Sequence, residues 1–72
     1  MPHQPRIVVY PPDQTGGRRV RADGEILGMA YTTRDLEEFL RRAGLEPGSY
    51  DITDATLIEW RGGGPEEWGM PR

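Results

Sequence analysis

One stretch of the chain has the apolar spacing of an amphipathic helix. Its apolar residues recur at i, i+3, i+4 and i+7 and form one stripe: Leu36, Phe39, Leu40 and Ala43. Thr32 suits the N-cap position before this stripe, and Gly44 suits the left-handed position after its end. Leu45 can then pack back on the last turn, as in a Schellman ending. The sequence therefore predicts a helix over about residues 32–44.

Short runs of β-branched and aromatic residues predict strands on both sides of this helix. They are bounded by proline, glycine or aspartate and cover residues 7–10, 18–22, 25–31 and 56–60. The element order is then β-β-β-α-β. This order predicts a small α+β domain: a three- to four-stranded, mostly antiparallel sheet with the amphipathic helix packed on one face. A single helix leaves the other face of the sheet partly open.

Asp23-Gly24 predicts a tight hairpin between the second and third strands, because both turn positions favour positive φ. Two registers are open. A two-residue turn places Arg21 opposite Ile26 and Val20 opposite Leu27. A three-residue loop places Arg21 opposite Glu25 and Val20 opposite Ile26, which gives one charge pair and one apolar pair. We expect the three-residue loop for that reason.

The chain divides into three parts. Residues 6–61 carry the periodic pattern and are expected to form one domain. Residues 1–5 are expected to be a flexible N-terminus, and residues 62–72 a Gly/Pro-rich C-terminal tail that carries Trp68. A domain of 72 residues buries only about 60% of its unfolded surface, so additional core from the tail would matter.

Composition narrows the class of protein. There is no cysteine, so neither a disulfide nor a thiolate metal site can form, and no apolar run is long enough to span a bilayer. We expect a cytoplasmic protein without a cofactor. All nine basic residues are arginine, a usage typical of a GC-rich bacterial genome. The formal net charge of −3 disfavours a general polyanion binder.

The arginines of the second strand are nevertheless candidates for binding nucleic acid. Arg18, Arg19 and Arg21 share that strand, and Arg6 is expected on its neighbour. With Tyr10 or Tyr31 nearby they could form a cationic aromatic surface for single strands. The competing interpretation is that outward arginines pair with Glu25 and Glu59 and protect the sheet, and the net charge favours it.

Aromatic residues near the C-terminus are the candidates for binding another protein. Trp60 lies in the last predicted strand and is expected in the core. Trp68 and Met70 lie in the tail, whose glycines and prolines exclude a regular amphipathic element. Either the tail folds back and Trp68 fills a groove on its own domain, or Trp68 anchors on a partner. The first is favoured, since it adds core to a small domain.

Catalytic signatures are weak. The only serine is Ser49, in a turn, and the only histidine is His3, near the N-terminus, so a serine–histidine–acid triad is disfavoured. Asp51, Asp54 and Glu59 are carboxylates that a small enzyme or accessory subunit could use, although solvated loop residues are the favoured interpretation of the first two.

Three functions therefore remain open. The leading one is a non-catalytic interaction or regulatory module that binds another protein or a second copy of itself. The second is nucleic-acid binding through the hairpin arginines. The third is a carboxylate-based enzyme or accessory subunit. No metal site is expected from any of them.

Overall fold

The order of strands and helix is the predicted one. In the computed structural model, which describes residues 6–46 and 48–68, the elements are β1 (Ile7–Pro12), β2 (Arg18–Ala22), β3 (Glu25–Ala30), α1 (Thr33–Arg42) and β4 (Ile58–Trp60). They form a four-stranded mixed sheet in the order β3-β2-β1-β4, with one helix. The prediction of a small α+β domain with β-β-β-α-β order is confirmed.

Pairing within the sheet follows from this order. β1 pairs antiparallel with β2, and β2 antiparallel with β3, whereas β1 pairs parallel with β4. β3 and β4 are thus the two edges, and the helix connects one edge to the other. Each β-branched residue of β1 that faces the helix, Ile7 and Val9, is fully buried, which anchors the centre of the sheet.

The hairpin has the two-residue turn, so the preferred three-residue register was wrong. Asp23 and Gly24 have φ of 52° and 84°, as a type I′ turn requires at both positions. Arg21 lies opposite Ile26, but an irregularity follows and Val20 lies opposite Gly28 rather than Leu27. The Asp23-Gly24 turn fixes the register next to the hairpin. One extra residue in β3, a β-bulge, shifts the pairing by one position between Arg21 and Val20.

Helix α1 is capped as its sequence predicts. The Thr32 hydroxyl accepts a hydrogen bond from the Asp35 backbone N–H at 3.2 Å. At the other end Gly44 adopts φ of 99°, and the Leu45 N–H donates to the Leu40 carbonyl at 3.0 Å. This is the Schellman ending. The helix itself spans ten residues, and no helix in residues 6–46 and 48–68 is long and apolar enough to cross a bilayer.

The core lies between the helix and one face of the sheet, here called the covered face. Its buried apolar residues come from all strands, the helix and the connecting loop: Ile7, Val9, Val20, Ala22, Ala30, Leu36, Leu40, Leu45, Leu57 and Ile58. Gly28 lets the helix approach β3 closely, since a Cβ there would lie 2.7 Å from the Phe39 Cζ. The opposite side of the sheet, the open face, has no described element packed on it.

Candidate functional site

The arginines of strand β2 lie on both faces of the sheet. Arg18, Val20 and Ala22 are buried on the covered face, whereas Arg19 is exposed and Arg21 half-buried on the open face. Strand residues alternate in this way because successive side chains point to opposite sides. Arg18, a candidate from the sequence for binding nucleic acid together with Arg19 and Arg21, therefore does not share their face. Its side chain is the largest fully buried one in the described residues.

All five N–H groups of the Arg18 guanidinium donate to backbone carbonyl groups. Nε donates to Tyr10 at 2.7 Å. The two Nη atoms donate to four carbonyls in the C-terminal segment at 2.7–3.0 Å: Arg61, Gly63, Gly64 and Glu67. A guanidinium has five such donors and no acceptor, so none is left unsatisfied. We call these five carbonyls the Arg18 nest.

Two tryptophan rings enclose the same guanidinium. The Arg18 Cζ lies 5.2 Å from the centroid of Trp60 and 5.6 Å from that of Trp68, both within cation–π range. The two rings meet edge to face at 6.0 Å. The C-terminal segment thus folds back as far as Trp68, as favoured from the sequence, and Trp60 packs against the core. Met70 lies outside the described residues.

Burial has an electrostatic consequence for Arg18. Removal from water lowers the pKa of its guanidinium, and the charge of Glu67 opposes that shift. No carboxylate forms a salt bridge with Arg18 in the part of the chain that the structure describes, so carbonyl dipoles compensate its charge. Arginine remains protonated even so. Arg18 therefore acts as a structural cation that fastens the C-terminal segment to β1 and β2.

The open face has a different composition. Its side chains from the strands are Val8, Tyr10, Arg19, Arg21, Ile26, Met29 and Glu59, and Arg6 and Arg61 continue it just outside β1 and β4. Ile26 is 55% exposed, and Tyr31, which directly follows β3, is 47% exposed. These are the exposed large apolar side chains of the described residues. The face therefore combines exposed apolar surface with arginines.

Two guanidinium groups lie against the ring of Tyr10 on the open face. The Arg61 Cζ is 5.1 Å, and the Arg21 Cζ 5.7 Å, from the ring centroid of Tyr10. Stacking on an aromatic ring holds an arginine in place while its N–H groups stay available to a carboxylate. The Nε of Arg21 is buried and has no hydrogen-bond partner among the described residues. Arg21 is thus held against Tyr10, and its buried Nε is out of reach of a carboxylate, which leaves only its Nη groups for a ligand.

Glu59 binds two arginines of the open face, Arg6 and Arg61. Its Oε1 accepts from the Arg6 Nη2 at 3.0 Å, and its Oε2 accepts from the Arg61 Nε at 2.6 Å. These hydrogen bonds, with that from Arg61 the larger influence, lower the pKa of Glu59, and the same contact raises the pKa of Arg61. Glu59 is therefore an ionised bridge within an arginine cluster.

A small cavity opens at the end of the open face next to Arg19. It measures about 120 Å³ and is lined by both apolar and charged residues: Tyr10, Pro11, Asp13, Gly17, Arg19 and Met29. Arg19 is exposed and forms no salt bridge within residues 6–46 and 48–68. Hydrogen bonds from Thr15 lower the pKa of Asp13, so its carboxylate is ionised at neutral pH. The cavity thus carries one charge of each sign at its rim.

The remaining carboxylate candidates have local partners. The Asp51 and Asp54 carboxylates accept hydrogen bonds from Thr53 and Thr56, which lower the pKa of each aspartate. Asp51 also borders a shallow cavity of about 430 Å³, lined in addition by Glu37, Gly48, Tyr50 and Ile52. Burial, with the nearby charge of Glu37, raises the pKa of Tyr50.

These carboxylates do not form a metal site in the structure. Across the described residues, no group of three or more histidine, cysteine, aspartate or glutamate side chains could hold a metal ion. Ser49 donates its hydroxyl to the Glu46 carbonyl at 2.6 Å, and His3 lies outside the described residues. The described part of the chain therefore offers no assembled nucleophile and no metal centre, and the arginine surface is its most developed feature.

Two participants of the open face were missed from the sequence. Neither Arg61 nor Met29 is among the candidate residues drawn from the sequence, although Met29 falls within the predicted third strand. Strand parity could have found Arg61, because Glu59 and Arg61 are two residues apart and point to the same side. Comparison of the chain with protein-family models, curated proteins and solved structures gave no match. Function is therefore inferred from the side chains themselves.

Proposed function

We propose that the protein is a non-catalytic binding module that uses its open face to bind an acidic segment of another protein. The observation that carries this proposal is the arginine cluster around Tyr10. Four arginines, Arg6, Arg19, Arg21 and Arg61, lie on a face with one glutamate, Glu59. The whole chain has a formal net charge of −3, whereas these five side chains together carry a formal charge of +3.

Such a concentration of charge selects an acidic partner. A cationic patch attracts anionic groups and speeds their encounter, although the gain falls as salt screens the charges. Exposed apolar surface beside the arginines, at Ile26 and Tyr31, adds area that a bound chain could bury. A face that combines both features fits a polypeptide with acidic side chains and some apolar ones.

The arginines are also held in position before any partner arrives. Tyr10 supports Arg21 and Arg61, and Glu59 binds Arg6 and Arg61. Immobilising a long side chain on binding costs about 0.5–1.5 kcal/mol. Part of this cost is already met in the free protein, which supports a binding role over simple solvation of the sheet.

Nucleic-acid binding is the second candidate, and the stacking at Tyr10 weighs against it. Sequence-tolerant binding of single strands uses aromatic rings with a face free for a base. Two guanidinium groups lie against the Tyr10 ring. Arg18 is buried and contributes no charge to the surface. One exposed ring, Tyr31, remains for a base, whereas four arginines of this face offer donors to carboxylates.

Charge reversal on the open face tests the proposal. The probe is a fluorescein-labelled twelve-residue peptide of alternating glutamate and serine, and its binding is measured by fluorescence anisotropy at about 50 mM and 300 mM salt. We expect the double substitution Arg19→Glu and Arg21→Glu to weaken binding at least about tenfold at low salt. We expect the same peptide to bind several-fold more weakly to the unaltered protein at high salt.

The control is Arg34→Glu with Arg42→Glu, which makes the same change in net charge on helix α1, away from the open face. An oligothymidylate of equal length is measured in parallel. Equal weakening by both double variants, or no binding of the peptide by the unaltered protein, would contradict the proposal. Tighter binding of the oligothymidylate would favour the nucleic-acid alternative. Sedimentation of the free protein detects a second copy as the occupant.

A further inference from the structure

Arg19 and Arg21 lie at the repeat distance of an extended chain. They are two residues apart on one strand and on the same face, so their Cα atoms are separated by about 7 Å. Side chains at i and i+2 of an extended peptide have the same separation. A peptide that runs along β2 therefore can present one carboxylate to each guanidinium.

The next position along this line has no side chain of its own. Gly17 is two residues before Arg19, and it borders the cavity of about 120 Å³ together with Tyr10, Pro11 and Met29. The space directly above Gly17 is filled, since an added Cβ would lie 2.9 Å from the Tyr31 ring and 3.0 Å from the Met29 Cε. The line of Arg21 and Arg19 thus leads from two cationic positions to a cavity that opens beside Gly17.

The cavity differs from the arginines in what it would accept. Most of its lining residues, Tyr10, Pro11 and Met29, present apolar surface. Asp13 on the rim places a negative charge where a third carboxylate would lie, and like charges repel. A small apolar side chain avoids that repulsion and buries its surface against the ring and the thioether.

We infer that the partner segment is extended and carries acidic residues at positions i and i+2 and an apolar residue at i+4. The first acid pairs with Arg21, the second with Arg19, and the apolar side chain enters the cavity beside Gly17. This assignment rests on the proposed function of the open face and adds the spacing that the partner needs. It makes the face selective for a pattern, and not only for negative charge.

Three labelled nine-residue peptides of identical composition test this spacing. In the first, two glutamates and one leucine stand at i, i+2 and i+4 among serines and glycines. In the second the glutamates are adjacent, and in the third the leucine is moved to i+3. We expect the first peptide to bind at least about fivefold tighter than either of the others in fluorescence anisotropy.

The cavity is tested separately with Met29→Gln, which keeps the length of the side chain but makes it polar. We expect this variant to lose the preference for leucine over serine at i+4 and to keep its preference for spaced glutamates. Equal binding of all three peptides by the unaltered protein would overturn the spacing and leave the proposed function standing. Absence of binding by every acidic peptide would overturn both.

Discussion

The two faces of the sheet use arginine next to aromatic rings in opposite ways. On the covered face, Arg18 lies between Trp60 and Trp68 and is fully buried, with five carbonyl acceptors. On the open face, Arg21 lies against Tyr10, half-buried, and its Nε has no partner in the described residues. One strand supplies both arginines, three positions apart.

The difference shows how burial determines the role of a charged side chain. A guanidinium removed from water is destabilising unless each donor finds an acceptor, so the Arg18 nest must be complete for the domain to fold well. A guanidinium at the surface keeps water on its free donors and can exchange that water for a ligand. The first arrangement stabilises the fold, and the second leaves hydrogen-bond donors that can bind a partner.

Substituting the two neighbouring arginines by methionine should separate these roles most clearly. We expect Arg18→Met to lower the free energy of unfolding by at least about 3 kcal/mol, since five carbonyls lose their donor and a charge that held them together is gone. Arg19→Met should change it by no more than about 0.5 kcal/mol. Urea denaturation followed by tryptophan fluorescence measures both.

A small domain without disulfides has only about 3–5 kcal/mol to lose, so Arg18→Met should be largely unfolded in buffer. Arg18→Lys is a milder substitution, because lysine keeps the charge but has three donors in place of five. We expect it to lose less stability than Arg18→Met. A stability for Arg18→Met close to that of Arg19→Met would mean that the nest contributes little, and the contrast between the faces would fail.

The covered face should also resist added volume more than the hairpin turn does. Gly28→Ala places a methyl group 2.7 Å from the Phe39 ring at a backbone φ of 148°, so we expect about 2 kcal/mol of destabilisation. Gly24→Ala is the control, because Gly24 also has positive φ but no atom within 4 Å of the added Cβ. If both variants lose the same stability, backbone strain and not helix packing is the cause.

Removal of a ring should matter more above the Arg18 nest than at the open face. Trp68 is half-buried and covers the guanidinium, so we expect Trp68→Ala to cost about 1.5 kcal/mol, less than a fully buried ring would. Tyr31→Ala, which removes a ring that is 47% exposed, should cost less. Thermal unfolding monitored by circular dichroism compares them, and a larger loss for Tyr31→Ala would contradict this ranking.

Glu59 gives the smallest expected effect, through pH. Its pKa is lowered in the folded protein from an ordinary value of 4.5, mainly by the hydrogen bond from Arg61. A lowered pKa means that the ionised form stabilises the fold above pH 4.5 and that this contribution is lost as the pH falls below it. Glu59→Gln should therefore lose less stability than the unaltered protein between pH 6 and about pH 3.

This difference is measured from urea unfolding curves at several pH values. Because Glu59 is exposed to solvent, it should be small and should shrink further with added salt. Parallel pH curves for the two proteins would show that the arginine cluster does not depend on Glu59.

The helix and its caps were predictable because their signals are local. Thr32, Gly44 and Leu45 each act on groups within five residues, so the sequence order alone places them together. The Arg18 nest could not be found in this way. Its C-terminal acceptors are backbone carbonyls 43 to 49 residues away. Every residue has a backbone carbonyl, so residue types do not indicate which ones will act as acceptors.

The candidate site was predictable in part for a related reason. Aromatic and cationic residue types identified Arg19, Arg21, Arg6 and Tyr10 as a group, and the structure brings them to one face. Strand parity alone separates Arg18 from Arg19 and Arg21, but it does not tell which of the two sets faces the helix. That information comes from tertiary packing, because the short strands allow either assignment.

The long sequence separation within the Arg18 nest also has a consequence for folding rates. A contact that joins distant parts of a chain forms only after a large loop has closed, so it tends to be absent early in folding. An interaction that is missing from the transition state affects mainly the unfolding rate. The contacts of the Arg18 guanidinium would then slow the unfolding of the protein, which includes detachment of the C-terminal segment. They would not speed the folding of the sheet and helix.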